Sequence, residues 1–235
     1  MIIKKISIII PVYNEKKTIK NCLEKVLNSN TFNIDKEVVI SDNNSNDGTK
    51  EILRQINYPN VKILFRDKNE GKGANIINAI QKVSGDVVIM QDADLEYSPD
   101  DYEDLLKPFI KYDADVVYGT RLTGAKEFRV LGLPNFIGNK LLTWSANFLY
   151  SKTFSDIETG YKVFKTTILK EINLSSKGFE IETEITSKIS KNKKLIIFET
   201  PITIFSRTYD EGKKVRWWHF FTSLYSLLKW RFKKN

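Results

Sequence analysis

A chain of 235 residues, 41% of them hydrophobic, has apolar material for one large α/β domain or two small ones, which excludes disorder over most of its length. Its one cysteine excludes a disulfide framework and a thiolate metal site, and fits a reducing compartment. The formal charge of +8 asks for an anionic partner: nucleic acid, a phosphorylated substrate or an acidic lipid surface.

The β-branched run Ile6 to Ile10, ended by Pro11, predicts a buried parallel strand. A helix follows to about Asn28, with the stripe Ile19, Cys22, Leu23, Val26 and Leu27 on one face. The cycle repeats: strand Val38 to Ser41, helix Gly48 to Ile56, strand Val61 to Phe65, helix Gly73 to Val83, strand Val87 to Gln91, helix Pro99 to Tyr112, strand Val116 to Thr120. Such alternation predicts a doubly wound α/β sheet, Rossmann-like and mostly parallel, flanked by helices. Beyond Gly119 the rhythm loosens. A loop marked by Gly124, Gly132 and Pro134 leads to a helical pattern from Phe136 to Leu149, a short strand Tyr161 to Phe164, a helix Glu180 to Ser190 and a strand Leu195 to Phe198. These read as an extension of the same sheet, so residues 1–212 form one domain with a 1–120 half and a 121–212 half. Residues 213–235 form a basic amphipathic helix. Its apolar face, Trp217, Trp218, Phe220, Phe221, Leu224, Leu227 and Leu228, is bracketed by cations, as in helices that lie on an anionic membrane surface.

Ligands of open α/β sheets collect beyond the carboxyl ends of the strands. There Asp92-Ala93-Asp94 sets two carboxylates two residues apart, the arrangement by which Mg²⁺ is held together with substrate phosphates. The first strand ends in Pro11-Val12-Tyr13-Asn14-Glu15. The second ends in Ser41-Asp42-Asn43-Asn44-Ser45-Asn46-Asp47-Gly48-Thr49, where Asp42 suits a base or ribose hydroxyl and Asp47 suits a helix N-cap. Asn69-Glu70-Gly71-Lys72-Gly73-Ala74 brings a lysine to a helix N-terminus facing an anion, although the spacing of a P-loop is absent and no GxGxxG follows the first strand.

Taken in order, PVYNE, DNNSNDGT, GKG and QDADLEY resemble the family 2 glycosyltransferases of GT-A fold. Downstream, Gly119-Thr120-Arg121, the segment Asp156 to Lys162 and the segment Arg207 to Lys214 resemble the branch that acts on dolichyl or polyprenyl phosphates. The resemblance implies an inverting transfer of a hexose, glucose or mannose, from a UDP- or GDP-linked donor to a polyprenyl phosphate, with Mg²⁺ or Mn²⁺ as cofactor. It places Pro11, Tyr13, Glu15, Asp42 and Lys72 around the nucleotide sugar, and Asp92 and Asp94 at the metal and pyrophosphate. Glu96 becomes a third metal ligand, and Asn43 replaces the usual second Asp of the nucleotide motif.

Catalysis is assigned to Asp94, Arg121 and Asp156, and the acceptor phosphate to Arg121, Arg207, Lys213 and Lys214, because guanidinium groups suit phosphate. A sugar-hydroxyl acceptor, with Asp156 as base, is the alternative. A nucleic-acid-binding module rests on charge alone, and we expect no nucleic-acid partner. The start Met1-Ile2-Ile3-Lys4-Lys5 lacks signal-peptide order and no apolar stretch reaches about 18 residues, so the expected location is the cytoplasm, peripheral on the cytosolic face of the membrane. His219, the sole histidine, is expected to pack rather than to ligate.

Overall fold

The computed structural model describes residues 2–124, 126–130, 132–208, 214, 216 and 218–233. Seven strands form one sheet: β1 (Lys5–Val12), β2 (Asp35–Asp42), β3 (Val61–Phe65), β4 (Val87–Met90), β5 (Val116–Thr120), β6 (Lys162–Lys165) and β7 (Ile197–Pro201). Their order is β3-β2-β1-β4-β6-β5-β7, with every pairing parallel except those of β6, which runs antiparallel to both β4 and β5.

Among the described residues eight α-helices cover the two faces: α1 (Ile19–Asn28), α2 (Thr49–Arg54), α3 (Lys72–Ile80), α4 (Tyr102–Tyr112), α5 (Leu133–Tyr150), α6 (Thr166–Glu171), α7 (Ile181–Lys191) and α8 (His219–Phe232). Strand side chains alternate in direction, so Ile6, Ile8 and Ile10 pack with α1, α2 and α4, while Ile9 packs with α3, α5 and α7 on the opposite face. Coverage of both faces explains the continuous apolar runs. Each of these four isoleucines is fully buried, which stabilises the fold by about 1.5–3 kcal/mol per side chain.

The sequence pattern locates the strands and leaves the place and direction of one of them open. Tyr161 to Phe164 belongs to the same sheet, as expected. It inserts as β6 between β4 and β5, and β7 takes the edge beside β5. The helix α6 starts directly where β6 stops, with no glycine or proline between them, and for that reason escapes a reading based on such breaks. The N-cap of α2 is Gly48 rather than Asp47, which stands one residue earlier and accepts the Thr49 backbone N–H at 3.0 Å.

The reversal of β6 matters for function. Because it is antiparallel, its N-terminal approach, residues 156–160, arrives at the sheet edge where the parallel strands β1, β2, β4 and β5 end. That edge is the candidate site.

Candidate active site

A cavity of about 970 Å³ opens along this edge. The exit of β1 supplies Pro11, Tyr13 and Glu15, the exit of β4 supplies Asp92, Asp94 and Glu96, and the exit of β5 supplies Arg121. Lys72 enters from the first turn of α3, Glu182 from α7, and Arg207 and Lys214 from the chain after β7.

The charges pair in a definite pattern. Lys72 Nζ lies 2.9 Å from Asp92 Oδ1 and 3.1 Å from Glu182 Oε1, and Glu182 Oε2 lies 2.5 Å from the fully buried Lys162 Nζ. Burial opposes the charged form of Lys72, but Asp92 and Glu182 outweigh it and hold the ammonium well above its ordinary range. The result is a buried chain, Asp92–Lys72–Glu182–Lys162, that fixes the first carboxylate of the pair.

Asp94 is held differently. Arg207 Nη2 donates to its Oδ2 at 2.8 Å, while Arg207 Nε and backbone N–H both donate to Glu96 Oε1, at 3.3 and 3.1 Å. Burial, then the negative charges of Asp92 and Glu96, push the Asp94 carboxyl up to about 7, against a smaller lowering by Arg207. Carboxylates crowded in this way are stabilised by a divalent cation. Among the described residues no three His, Cys, Asp or Glu side chains converge on one point, and Glu96 turns to Arg207. Asp92 and Asp94 therefore fit a cation in the manner of Mg²⁺, which takes one or two carboxylates and completes its shell with phosphate oxygens and water. A third protein ligand from Glu96 is not what this geometry shows.

Arg121 and Asp156 form a further pair, at the exit of β5. Arg121 Nε and Nη2 donate to the two Asp156 oxygens at 2.5 and 2.7 Å, Asn139 donates at 2.8 Å, and the Arg121 backbone N–H at 3.2 Å. Asp156 is fully buried and does not line the cavity, whereas Arg121 does. Burial opposes ionisation of Asp156, but Arg121 and these hydrogen bonds hold its carboxyl below the usual range. That speaks against the base role it would have toward a sugar-hydroxyl acceptor. A carboxylate with both oxygens occupied and no access to the cavity is a counter-ion, and it positions Arg121.

Other expectations are redistributed. Asp42 is also fully buried, with Oδ2 accepting the Ser45 N–H at 3.1 Å and Oδ1 without a hydrogen-bond partner among the described residues. It is Asn43 that lines the cavity, tied to Asn69 Oδ1 at 2.7 Å. Lys214 Nζ donates to Glu15 Oε1 and to the Tyr13 carbonyl, both at 2.6 Å, and so stands on the β1 side, away from Arg121. Arg207 also reaches Glu15, at 3.6 Å, because three carboxylates there outbid any other partner. Of the four cations expected at one acceptor phosphate, Arg121 is thus separated from Arg207 and Lys214, and Lys213 lies outside the described residues.

Pattern reading missed Lys162, Glu182 and Glu158. A usable signal was present: Lys162 interrupts the strand Tyr161 to Phe164, and Glu182 stands beside Ile181 in the apolar pattern of a helix, so each was a charge placed where burial was expected.

Gly160 closes the site against β4. A Cβ added there would meet the Asp92 carboxylate and would lie 2.8 Å from the Tyr97 ring. Gly160→Ala is expected to shift Asp92, to cost about 1–3 kcal/mol of stability and to lower kcat/KM at least tenfold. Thermal unfolding beside steady-state kinetics checks this, and an unperturbed kcat/KM would show that the Asp92 position is not critical.

An open α/β sheet with acidic and basic side chains gathered at its carboxyl edge has the architecture of the α/β proteins that bind ligands there. Residues 7–172 match the family model "Glycosyl transferase family 2", and the chain belongs to that family of glycosyltransferases. Among its relatives, the UDP-N-acetylglucosamine–dolichyl-phosphate N-acetylglucosaminyltransferase of Methanococcus voltae is 29% identical, over 89% of this chain and 89% of its own. The dolichol-phosphate mannosyltransferase of Pyrococcus furiosus is 28% identical over 96% of this chain, which spans 64% of that protein. The low-salt glycan biosynthesis hexosyltransferase Agl6 of Haloferax volcanii is 32% identical over 86% of this chain, which spans 48% of it. These names match the polyprenyl-phosphate branch seen in the motifs. The fold is that of the GT-A transferases: glucosyl-3-phosphoglycerate synthase of Mycobacterium tuberculosis, solved with phosphoglyceric acid, superposes with a TM-score of 0.75 at 17% identity, covering 99% of this chain and 81% of that one. The same synthase has been solved with Mn²⁺ and UDP, and in that form superposes with a TM-score of 0.73.

Proposed function

We propose that this glycosyltransferase moves a sugar from a nucleoside diphosphate to an isoprenoid lipid phosphate, with a divalent cation at Asp92 and Asp94. The observation that carries the reading is the two-sided character of one cavity. Its floor carries Asp92, Asp94 and Arg121, while Ile137, Leu141, Phe220 and Phe221 of α5 and α8 line another part of it. An amphiphile with an anionic head fits such a space; a soluble glycan has no use for the apolar wall.

The bound cation would offset the negative charge that develops on the departing diphosphate. The chain's own residues do the rest. Lys72, held by Asp92 and Glu182, is a fixed positive charge beside the pyrophosphate, and Arg121 presents its guanidinium edge to the acceptor phosphate. A phosphate nucleophile is ionised at neutral pH and needs no base, which agrees with an Asp156 committed to Arg121. Tyr13, Pro11 and Glu15 line the β1 side, where the nucleoside would lie, with Asn43 beside them. The relatives' names span N-acetylglucosamine and mannose, so both N-acetylhexosamine and hexose donors, UDP- or GDP-linked, belong in the first assay.

The same helices support a membrane-surface location. α8 packs Leu227 and Trp230 into the domain and leaves Phe221, Tyr225 and Phe232 exposed, next to an α5 that exposes Trp144 and Phe148. No helix among the described residues is long and apolar enough to cross a membrane. Cations such as Lys140, Lys229 and Arg231 accompany these aromatics, which suits an anionic interface. The expected result is that Trp144→Glu combined with Phe148→Glu lowers co-sedimentation with anionic vesicles roughly thirtyfold, at about 1 kcal/mol per residue of lost insertion, while turnover of a short, water-soluble polyprenyl phosphate persists. Undiminished vesicle binding would remove α5 from the interface.

The reaction itself is tested with radiolabelled UDP-glucose, UDP-N-acetylglucosamine and GDP-mannose, each with Mn²⁺ and a polyprenyl phosphate. Label in an acid-labile lipid product is the expected result. Absence of lipid label with all three donors would sink the proposal.

A further inference from the structure

Among the described residues six carboxylates line the cavity, and five are matched by cations: Asp92 and Glu182 by Lys72, Asp94 and Glu96 by Arg207, and Glu15 by Lys214. The sixth, Glu158, lines the same cavity, and its buried Oε1 has no hydrogen-bond partner among the described residues. A buried acceptor that no protein group satisfies and that borders a cavity is open to a donor from a ligand.

Its place in the chain indicates which ligand. Glu158 sits midway along the segment that enters β6. At one end of that segment Asp156 grips Arg121 through both carboxylate oxygens. At the other, Gly160 packs so closely on Asp92 that even a methyl group would collide with its carboxylate. Glu158 is therefore fixed between the residue assigned to the acceptor phosphate and the residue assigned to the donor diphosphate. In an inverting displacement the nucleophile and the leaving group stand on opposite sides of the anomeric carbon. The sugar ring must then occupy the space between those two phosphates, and Glu158 borders it.

The geometry points to Glu158 as the residue that accepts hydrogen bonds from hydroxyl groups of the transferred sugar and thereby selects the donor. A carboxylate has acceptor capacity for two adjacent hydroxyls, and no side chain is seen to claim Oε1. The partly buried location raises the discrimination such an acceptor provides, because a sugar that lacks the matching hydroxyl leaves the carboxylate unpaired. This assignment rests on the proposed function and goes beyond it, by naming a residue that reads the sugar rather than the nucleotide or the phosphate.

The test separates the two. Calorimetric titration of the full chain with Mn²⁺ is run with UDP and GDP, and with UDP-glucose, UDP-N-acetylglucosamine and GDP-mannose, for the parent and for Glu158→Ala and Glu158→Gln. The expected result is unchanged affinity for the nucleoside diphosphate, a ten- to hundredfold loss for the preferred sugar nucleotide in Glu158→Ala with a partial loss in Glu158→Gln, and a flattened preference among the three donors. Thermal unfolding temperature should stay level or rise, since an unsatisfied buried group is removed. A variant that binds the preferred sugar nucleotide as the parent does overturns the assignment and leaves the proposed function standing. Equal weakening of diphosphate and sugar nucleotide, with a lowered unfolding temperature, also overturns it, since that marks a structural role. A parent that binds none of the five ligands rejects the proposed function, and the assignment of Glu158 with it.

Discussion

Asp94→Asn is expected to lower kcat about a thousandfold while the folded protein gains stability at alkaline pH. The catalytic loss follows from the role assigned to the carboxylate pair. A divalent cation at a departing diphosphate contributes several kcal/mol, and about 4 kcal/mol corresponds to three powers of ten in rate. The stability gain follows from the titration of Asp94, whose carboxyl is pushed up to about 7 by burial and by its acidic neighbours. An acid with a raised pKa binds its proton more tightly folded than unfolded, so its favourable contribution is full below about pH 4 and is lost as pH rises through about 7. An amide carries no such charge. In metal-free buffer the unfolding temperature of the variant should exceed that of the parent at pH 8, and the gap should shrink toward pH 4. Added Mn²⁺ should raise the unfolding temperature of the parent at pH 8 and have little effect on the variant. A variant that keeps its rate, or that responds to Mn²⁺ as the parent does, would remove Asp94 from the metal site.

The second large effect concerns Asp156. Its replacement by Ala leaves Arg121 buried without a counter-ion, a change that costs about 3–5 kcal/mol. For a chain of this size each kcal/mol is worth about 2–4 °C, so a fall of roughly 6–20 °C in the unfolding temperature is expected. Activity should fall as well, because Arg121 loses its orientation. Asp156→Asn separates positioning from base catalysis. The amide keeps much of the hydrogen bonding, and if Asp156 only positions Arg121, the pH profile of kcat retains its shape at a lowered rate. Loss of the acid limb of that profile in Asp156→Asn would restore the base and, with it, a hydroxyl acceptor.

These two residues show why a charged motif does not declare its role. Asp94 and Asp156 are both aspartates near strand ends in segments that resemble family motifs, yet one meets the cavity and the other is sealed behind an arginine. What separates them is access, and access depends on which side chains arrive from other elements. Glu158 makes the same point from the opposite direction. It attracted no attention as a residue type, and it stands out only when its neighbours in the cavity are seen to be paired.

Much was legible in the sequence by itself. The continuous Val and Ile runs dictated strands buried on both faces, because only a sheet covered by helices on each side hides every residue of such a run. The alternation with amphipathic stretches fixed an open, mostly parallel sheet, and the position of PVYNE, DNNSNDGT, GKG and DAD just after strands or before helices placed them on one edge, where strand polarity gathers ligands. Local pattern suffices for these conclusions because each depends on the periodicity of one segment. Tertiary structure alone decided the direction and place of β6, the buried chain from Asp92 through Lys72 and Glu182 to Lys162, the separation of Arg121 from Arg207 and Lys214, and the half-buried setting of α8. The physical reason is common to all four. Electrostatic partners and strand neighbours are chosen across separations of tens to more than a hundred residues, as between Asp94 and Arg207, and no local period records a choice made at that distance.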